Sequence, residues 1–218
     1  HHTASTVALT GGGRDAKPGE VSLASEGVLF LDELPEYQRS ALETMRQPLE
    51  DGVITVSRAM GTYEYPANFM LVASMNPCPC GYAMDAKKGC HCLPEAKKRY
   101  RERVSGPLLD RIDLQVSVPP VEPENFLQKK SAETSAVIRK RVVAARNIQT
   151  NRTKEFRCNA DLTSKAVVEF SKMDFVTERF AINAADRMTL SARGYYRLLK
   201  VARTIADLRG SEVVEIPD

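Results

Sequence analysis

The pattern of apolar and polar positions changes character along the chain. Gly27-Val28-Leu29-Phe30-Leu31 sets four large apolar residues in a row, which predicts a strand buried on both faces, and Asp32 and Glu33 follow directly. Leu42, Met45 and Leu49 recur at helical spacing, predicting a helix over 37–49 that packs on a sheet. Pro35 suits its first turn, and Glu50-Asp51-Gly52 supplies the turn that ends it. A second apolar run, Phe69-Met70-Leu71-Val72-Ala73-Ser74-Met75, predicts another strand that stops at Asn76. Between the two, Val53-Ile54-Thr55-Val56-Ser57 and Thr62-Tyr63-Glu64-Tyr65 flank a tip at Arg58-Ala59-Met60-Gly61 and read as a β-hairpin. Leu114-Gln115-Val116-Ser117-Val118 reads as a short strand closed by Pro119-Pro120. After this Pro-rich stretch, which runs to Pro123, the periodicity becomes helical over 131–149, 163–170, 174–188 and 192–208. In the last of these, Leu198, Ala202 and Ile205 share one face. Val213-Val214-Glu215-Ile216 reads like the lead into a further helix. The expected layout is an α/β part over 1–120, with a parallel sheet and flanking helices, followed by an all-helical part over 121–218.

The acids after the first strand sit where open α/β sheets place ligand sites, at the carboxyl end. This is the Walker B arrangement of a P-loop nucleotidase. Asp32 would hold Mg²⁺ and its waters, and Glu33 would polarise the water that attacks the γ-phosphate. A helix N-terminus whose dipole the two acids complement accounts for the same residues. Asn76, polar at the end of a buried strand, fits the sensor 1 position of an AAA+ ATPase, where its amide hydrogen-bonds the γ-phosphate or the lytic water. An Asx turn before Pro77 is the plainer account of Asn76 taken alone.

Several segments together carry a family resemblance. They are Pro18-Gly19-Glu20-Val21-Ser22-Leu23-Ala24, Gly27 to Pro35, Asn76-Pro77-Cys78-Pro79-Cys80-Gly81-Tyr82, Gly106-Pro107-Leu108-Leu109-Asp110-Arg111-Ile112-Asp113, and Ser191-Ala192-Arg193-Gly194-Tyr195-Tyr196-Arg197 through Ala206-Asp207-Leu208. In this order, over nearly the whole chain, they resemble the magnesium-chelatase-like AAA+ proteins of the bacterial ComM/YifB family. The resemblance implies a partial AAA+ P-loop nucleotidase core with a presensor β-hairpin, followed by a helical lid. It implies that Arg111 is an arginine finger reaching the γ-phosphate held by a neighbouring subunit, and that Arg193 is sensor 2. The hairpin and the glycine-rich segment near Gly11 to Gly19 resemble pore-facing inserts, so Arg14, Lys17 and Arg58 are candidates to contact a threaded polymer, or else exposed loop cations. One departure stands out: no Gly-x-x-x-x-Gly-Lys-Ser/Thr occurs in the sequence, and Gly11-Gly12-Gly13-Arg14 lacks the lysine end of a phosphate cradle. The chain therefore reads as the C-terminal part of a longer protein, with a P-loop upstream. His1-His2-Thr3 resembles runs native to the family as much as a tag remnant.

Composition narrows the picture further. With 43% hydrophobic and 27% charged residues, the chain can bury a core in one or two domains. It has no apolar run long enough for a membrane span and no signal sequence, so a cytoplasmic location without membrane partners is expected. A net charge of +3 does not by itself imply nucleic acid. The basic runs Lys97-Lys98-Arg99 and Arg139-Lys140-Arg141 fit solvated helix faces. Four of the five cysteines fall together as Cys78, Cys80, Cys90 and Cys92, while Cys158 stands apart. Clustered thiols without a secretory signal suggest a structural, tetrahedral Zn²⁺ site, with reduced uncoordinated thiols as the alternative. His91 offers itself in place of one thiolate, although adjacent ligands at 90 and 91 point apart in most backbones.

The resulting expectation is an ATP-hydrolysing ring motor, a homohexamer acting on DNA. The resemblance implies branch migration during uptake of foreign DNA. The isolated chain is expected to be inactive for want of a P-loop. The alternatives are a magnesium-chelatase ATPase subunit and a non-catalytic, zinc-bearing nucleic-acid-binding module. An activator of sigma-54 polymerase shares the Leu-Phe-Leu-Asp-Glu strand but needs a Gly-Ala-Phe-Thr-Gly-Ala loop that does not occur here.

Overall fold

A computed structural model describes residues 3–13, 15–58, 61–85, 87–119 and 133–218, apart from the Arg58 side chain. The chain separates into two compact units, 1–122 and 123–218.

The first unit begins with α1 (Thr6–Thr10), capped by the Ser5 hydroxyl, which accepts from the Ala8 N–H at 3.1 Å. Two short strands follow, β1 (Gly11–Gly12) and β2 (Lys17–Pro18), paired antiparallel. The backbones here come so close that a Cβ on Gly19 would lie 2.2 Å from the Gly11 nitrogen, which is why glycine stands there. Next come α2 (Glu20–Leu23) and β3 (Val28–Leu31). β3 alternates: Leu29 and Leu31 are buried, whereas Val28 and Phe30 are 60% and 57% exposed. The expected burial on both faces is therefore corrected to burial on one face.

The expected helix over 37–49 is also corrected. It consists of a 3₁₀ turn (Leu34–Glu36), α3 (Arg39–Thr44) and α4 (Arg46–Asp51), jointed at Met45. Pro48 explains the joint, because it has no N–H to give Thr44 and its ring crowds that carbonyl. Gly52 ends α4 in the left-handed region, φ 67°. Leu42 and Met45 are buried as their spacing predicts, in a core with Leu29, Leu31, Leu34, Tyr37 and Leu108.

The hairpin is present as β4 (Val53–Arg58) and β5 (Gly61–Pro66), paired from Val53↔Pro66 to Arg58↔Gly61. The Tyr65 hydroxyl donates to the Ala16 carbonyl at 2.5 Å and ties the hairpin to the glycine-rich loop. β6 (Met70–Ala73) runs parallel to β3, with Val28↔Met70 through Leu31↔Ala73 in register. α5 (Pro94–Arg101) and α6 (Gly106–Leu109) follow. The strand expected over 114–118 does not form; Leu114, Val116 and Val118 are exposed and no ladder reaches them. Alternation alone does not make a strand where no partner edge supplies hydrogen bonds.

The described part of the second unit is helical: α7 (Ser135–Arg152), α8 (Ser164–Ser171), α9 (Phe175–Arg187) and α10 (Ala192–Arg209). Thr163, Asp174 and Ser191 cap the last three with their side chains. The face expected of α10 is shifted by one position. Leu199, Ala202, Arg203, Ala206 and Asp207 are buried, and Ile205 is exposed. Arg203 and Asp207 can occupy a core face because they neutralise each other across one helical turn, 3.0 Å apart.

Candidate functional site

The parallel register sets the carboxyl ends of β3 and β6 side by side, bringing Asp32 level with Ser74 and Asn76 two residues beyond. The Asp32 carboxylate accepts from the Ser74 hydroxyl and, at 3.1 Å, from the Glu33 N–H. The Glu33 N–H also reaches the Ser74 oxygen at 3.3 Å, and the Leu34 N–H bonds the Ser74 carbonyl at 2.9 Å. Glu33 itself sits in the left-handed region, φ 54°, which turns the chain sharply off the strand. Ser74 thus holds the acid pair from the neighbouring strand. Sequence reasoning passed over it, since a serine after a strand gives no pattern.

Two buried tyrosines complete the surroundings. Burial, then the Asp32 charge, raises the Tyr37 phenol above its ordinary value. Burial raises Tyr100 likewise, with the Glu36 charge and, less, the Glu33 charge adding to it; the Asn76 N–H donates to this phenol and opposes the shift, as does Arg103. Arg103 pairs with Glu36 at 2.8 Å and lies 5.8 Å over the Tyr100 ring. Asp32, Glu33 and Asn76 therefore lie at one end of the sheet, with Tyr100 between the Asn76 backbone and the Glu33 charge and Tyr37 beside Asp32.

Arg111 stands elsewhere in the same unit. It pairs with Glu50 of α4, donates to the Pro107 carbonyl at 2.6 Å, and its side chain is only 13% exposed. Arg193 is exposed in the first turn of α10. Lys17 is exposed on β2. Arg14 lies outside the described residues, and Arg58 is described only as the backbone end of β4.

The four clustered cysteines do meet. Their sulfurs all lie within 4.8 Å of one another, with Cys78 3.3 Å from Cys80 and 3.6 Å from Cys90. Gly81, at φ 81°, permits the turn that returns its N–H to the Cys78 carbonyl at 3.0 Å. A tetrahedral Zn²⁺ with bonds of about 2.3 Å spaces its sulfurs by about 3.8 Å, so this donor set fits such an ion. The protons are already unequally shared. Burial works against ionising Cys78, but hydrogen bonds from the Cys80 and Cys90 thiols and from backbone N–H groups pull it down to about 6. Cys92, hydrogen-bonded chiefly to Cys80, is pushed up to about 12. His91 is exposed and outside the group.

The second unit has a polar centre that sequence reasoning missed. Asp207 accepts from Arg152, from Arg203 at 3.0 Å and from Asn159 at 2.8 Å. Arg203 in turn donates to the carbonyls of Phe170, Glu212 and Ser211.

Among the described residues, no helix is long and apolar enough to cross a membrane. Comparison with known proteins then places the chain. Residues 1–126 match the family described as "Magnesium chelatase, subunit ChlI", and residues 132–218 match "Magnesium chelatase, subunit ChlI C-terminal". "Competence protein ComM" of Haemophilus influenzae is 46% identical over all of this chain, which covers 42% of that protein. "Uncharacterized protein YifB" of Escherichia coli is 44% identical over 98% of this chain, again covering 42% of the relative. "Magnesium-chelatase subunit ChlI" of Olisthodiscus luteus is 25% identical over 80% of the chain, which covers 52% of it. The chain thus spans about two fifths of the ComM and YifB relatives. A parallel sheet with flanking helices, a helical C-terminal region and matches along its whole length identify this chain as a member of the magnesium-chelatase-like family, with ComM and YifB among its relatives.

Proposed function

We propose that the chain carries the hydrolytic part of an AAA+ ATPase, a cytoplasmic homohexameric ring motor that acts on DNA. The observation that supports this best is the convergence of Asp32, Glu33 and Asn76 at one end of the β3–β6 pair, with Ser74 clasping the acids. In this reading Asp32 holds Mg²⁺, which neutralises phosphate charge when bound with ATP. Glu33 takes the proton of the attacking water and Asn76 orients it. Arg111 reaches the γ-phosphate of a neighbouring subunit's nucleotide, and Arg193 contacts phosphate from the lid. Residues 1–120 form the core and 121–218 the lid. Arg14, Lys17 and Arg58 are the DNA-facing candidates. The four cysteines hold one structural Zn²⁺, because four sulfurs leave no open coordination position. The DNA assignment leans on the relative named for competence, and its 46% identity against 25% for the chelatase subunit favours it over a porphyrin-metallating role.

The 218-residue chain by itself contains no phosphate-cradling Gly-Lys-Ser/Thr loop, whereas its cysteine cluster is complete. In isolation it therefore acts as a zinc-bearing module with weak or no ATP binding. Calorimetry showing micromolar Mg-ATP affinity for this chain would contradict that. In a full-length protein carrying these residues, Glu33→Gln keeps ATP binding and slows hydrolysis by about 10²–10⁴-fold. Arg111→Ala cuts turnover by about 10³-fold or more. Mixing the two variants restores part of it through shared sites. Near-normal turnover in both single variants refutes the assignments.

A further inference from the structure

Arg111 does not stand alone in its surroundings. Arg46 of α4 lines the same open cleft, about 410 Å³ in volume, with Thr10, Gln47 and Thr55 adding hydroxyl and amide groups. Each arginine rests on a glutamate of its own unit: Arg46 on Glu43 at 3.1 Å, and Arg111 on Glu50. The two are held differently. Arg111 is also fixed by the Pro107 carbonyl and is 13% exposed, whereas the Arg46 side chain is 42% exposed. Glu43 stays ionised beside it, held below the usual carboxylate range mainly by a hydrogen bond from Ser105 and then by Arg46.

Two arginines lining one cleft, with hydroxyl and amide groups beside them, suit an oxyanion that carries more than one negative charge. Guanidinium donors pair with phosphate oxygens bidentately, and a polyanion outcompetes a singly charged carboxylate for two forks at once. A lone structural arginine would need no second arginine facing the same space. The glutamates are then counter-ions that hold both cations in place in advance, Arg111 largely out of water and Arg46 still partly solvated, which reduces the reorganisation needed when the anion arrives.

We propose that Arg46 is a second phosphate-contacting arginine, acting beside Arg111 on the terminal phosphate of a nucleotide held by a second copy of the protein, with Glu43 and Glu50 holding the two cations ready. This rests on the reading of Arg111 as an arginine finger.

The test uses a full-length protein carrying this segment. Arg46→Ala lowers turnover by about 10²-fold, the usual worth of one preorganised donor, while affinity for a fluorescent ATP analogue stays within about twofold. Arg46→Lys, which keeps the charge and loses the fork, recovers part of the rate and serves in place of the alanine variant should that one melt early. Mixing Arg46→Ala with Glu33→Gln subunits restores turnover, because each supplies what the other lacks. The proposal is overturned by turnover within about threefold of the unmodified protein, by a loss that mixing does not restore, or by a fall in nucleotide affinity that matches the fall in rate. An inactive Arg111→Ala beside a fully active Arg46→Ala removes Arg46 alone. A fully active Arg111→Ala removes the arginine-finger reading itself.

Discussion

Replacing Asp207 with alanine tests how the second unit is held together. The Asp207 side chain is fully buried and accepts from Arg152, from Arg203 at 3.0 Å and from Asn159 at 2.8 Å. Hydrogen bonds to charged groups contribute about 1.5–3 kcal/mol each, so three would give roughly 5–9 kcal/mol if none were replaced. Part is replaced. Arg203 keeps its three carbonyl acceptors, and Arg152, 17% exposed, can turn to water. Arg203 nevertheless remains wholly buried without its counter-ion, and breaking such a pair costs about 3–5 kcal/mol. Small domains are stable by about 5–15 kcal/mol in total, so the variant lies near the edge of folding. Native-state hydrogen exchange over α8 and α10 reads this unit separately from the first. We expect protection to fall by about 10²–10⁴-fold, the equivalent of 3–5 kcal/mol. Asp207→Asn, which keeps the shape and loses the charge, should fall between. A change smaller than about 1 kcal/mol in Asp207→Ala would mean that the carbonyls alone hold Arg203 and that the network is incidental.

Three further outcomes are expected. Protein purified under reducing conditions without chelator binds one Zn²⁺ per chain, and Cys80→Ser with Cys92→Ser releases it and speeds proteolysis of the loop between Cys78 and Cys92; metal analysis well below one equivalent speaks against the site. Gly19→Ala forces a Cβ to 2.2 Å from the Gly11 nitrogen, so the melting temperature falls and β1 and β2 separate, whereas an unchanged melting curve would show that the loop adjusts freely. Asp174 caps α9, and bonds from the Thr177 backbone and side chain hold its carboxyl below the ordinary value. A depressed carboxyl stabilises the fold above its unfolded pKa and loses that contribution as pH falls through the folded value. Acid titration of the second unit should therefore show a component below about pH 4 that Asp174→Asn removes, and identical acid profiles would refute it.

Much of the architecture was legible from pattern. The acid-terminated apolar run, the hairpin and the C-terminal helices each carry a periodicity that survives without knowledge of neighbours. What failed depended on neighbours. Val28 and Phe30 look as buried as Leu29 and Leu31 until it is known that only one face of β3 is covered. Residues 114–118 alternate like a strand, yet no edge receives them. Pro48 signalled the joint in the 37–49 helix, and helical spacing alone outweighed it. On α10 the reading chose Ile205 over Arg203, because a charged residue counts as surface unless its partner is known, and Asp207 is that partner. In the candidate site the acids, Asn76 and the cysteines stood out by type and spacing. Ser74, Tyr37, Tyr100 and Arg46 did not, since nothing local distinguishes them from ordinary residues of their kind.

The bond from Tyr65 to the Ala16 carbonyl has a mechanical consequence. It joins the base of the β4–β5 hairpin to the loop that carries β1 and β2, whose chain passes through Ala16 at a positive φ of 49°. A pull on the hairpin tip is therefore shared with the glycine-rich loop instead of being absorbed at its own root. The two behave as a single lever, and Tyr65→Phe would leave each to bend under load on its own.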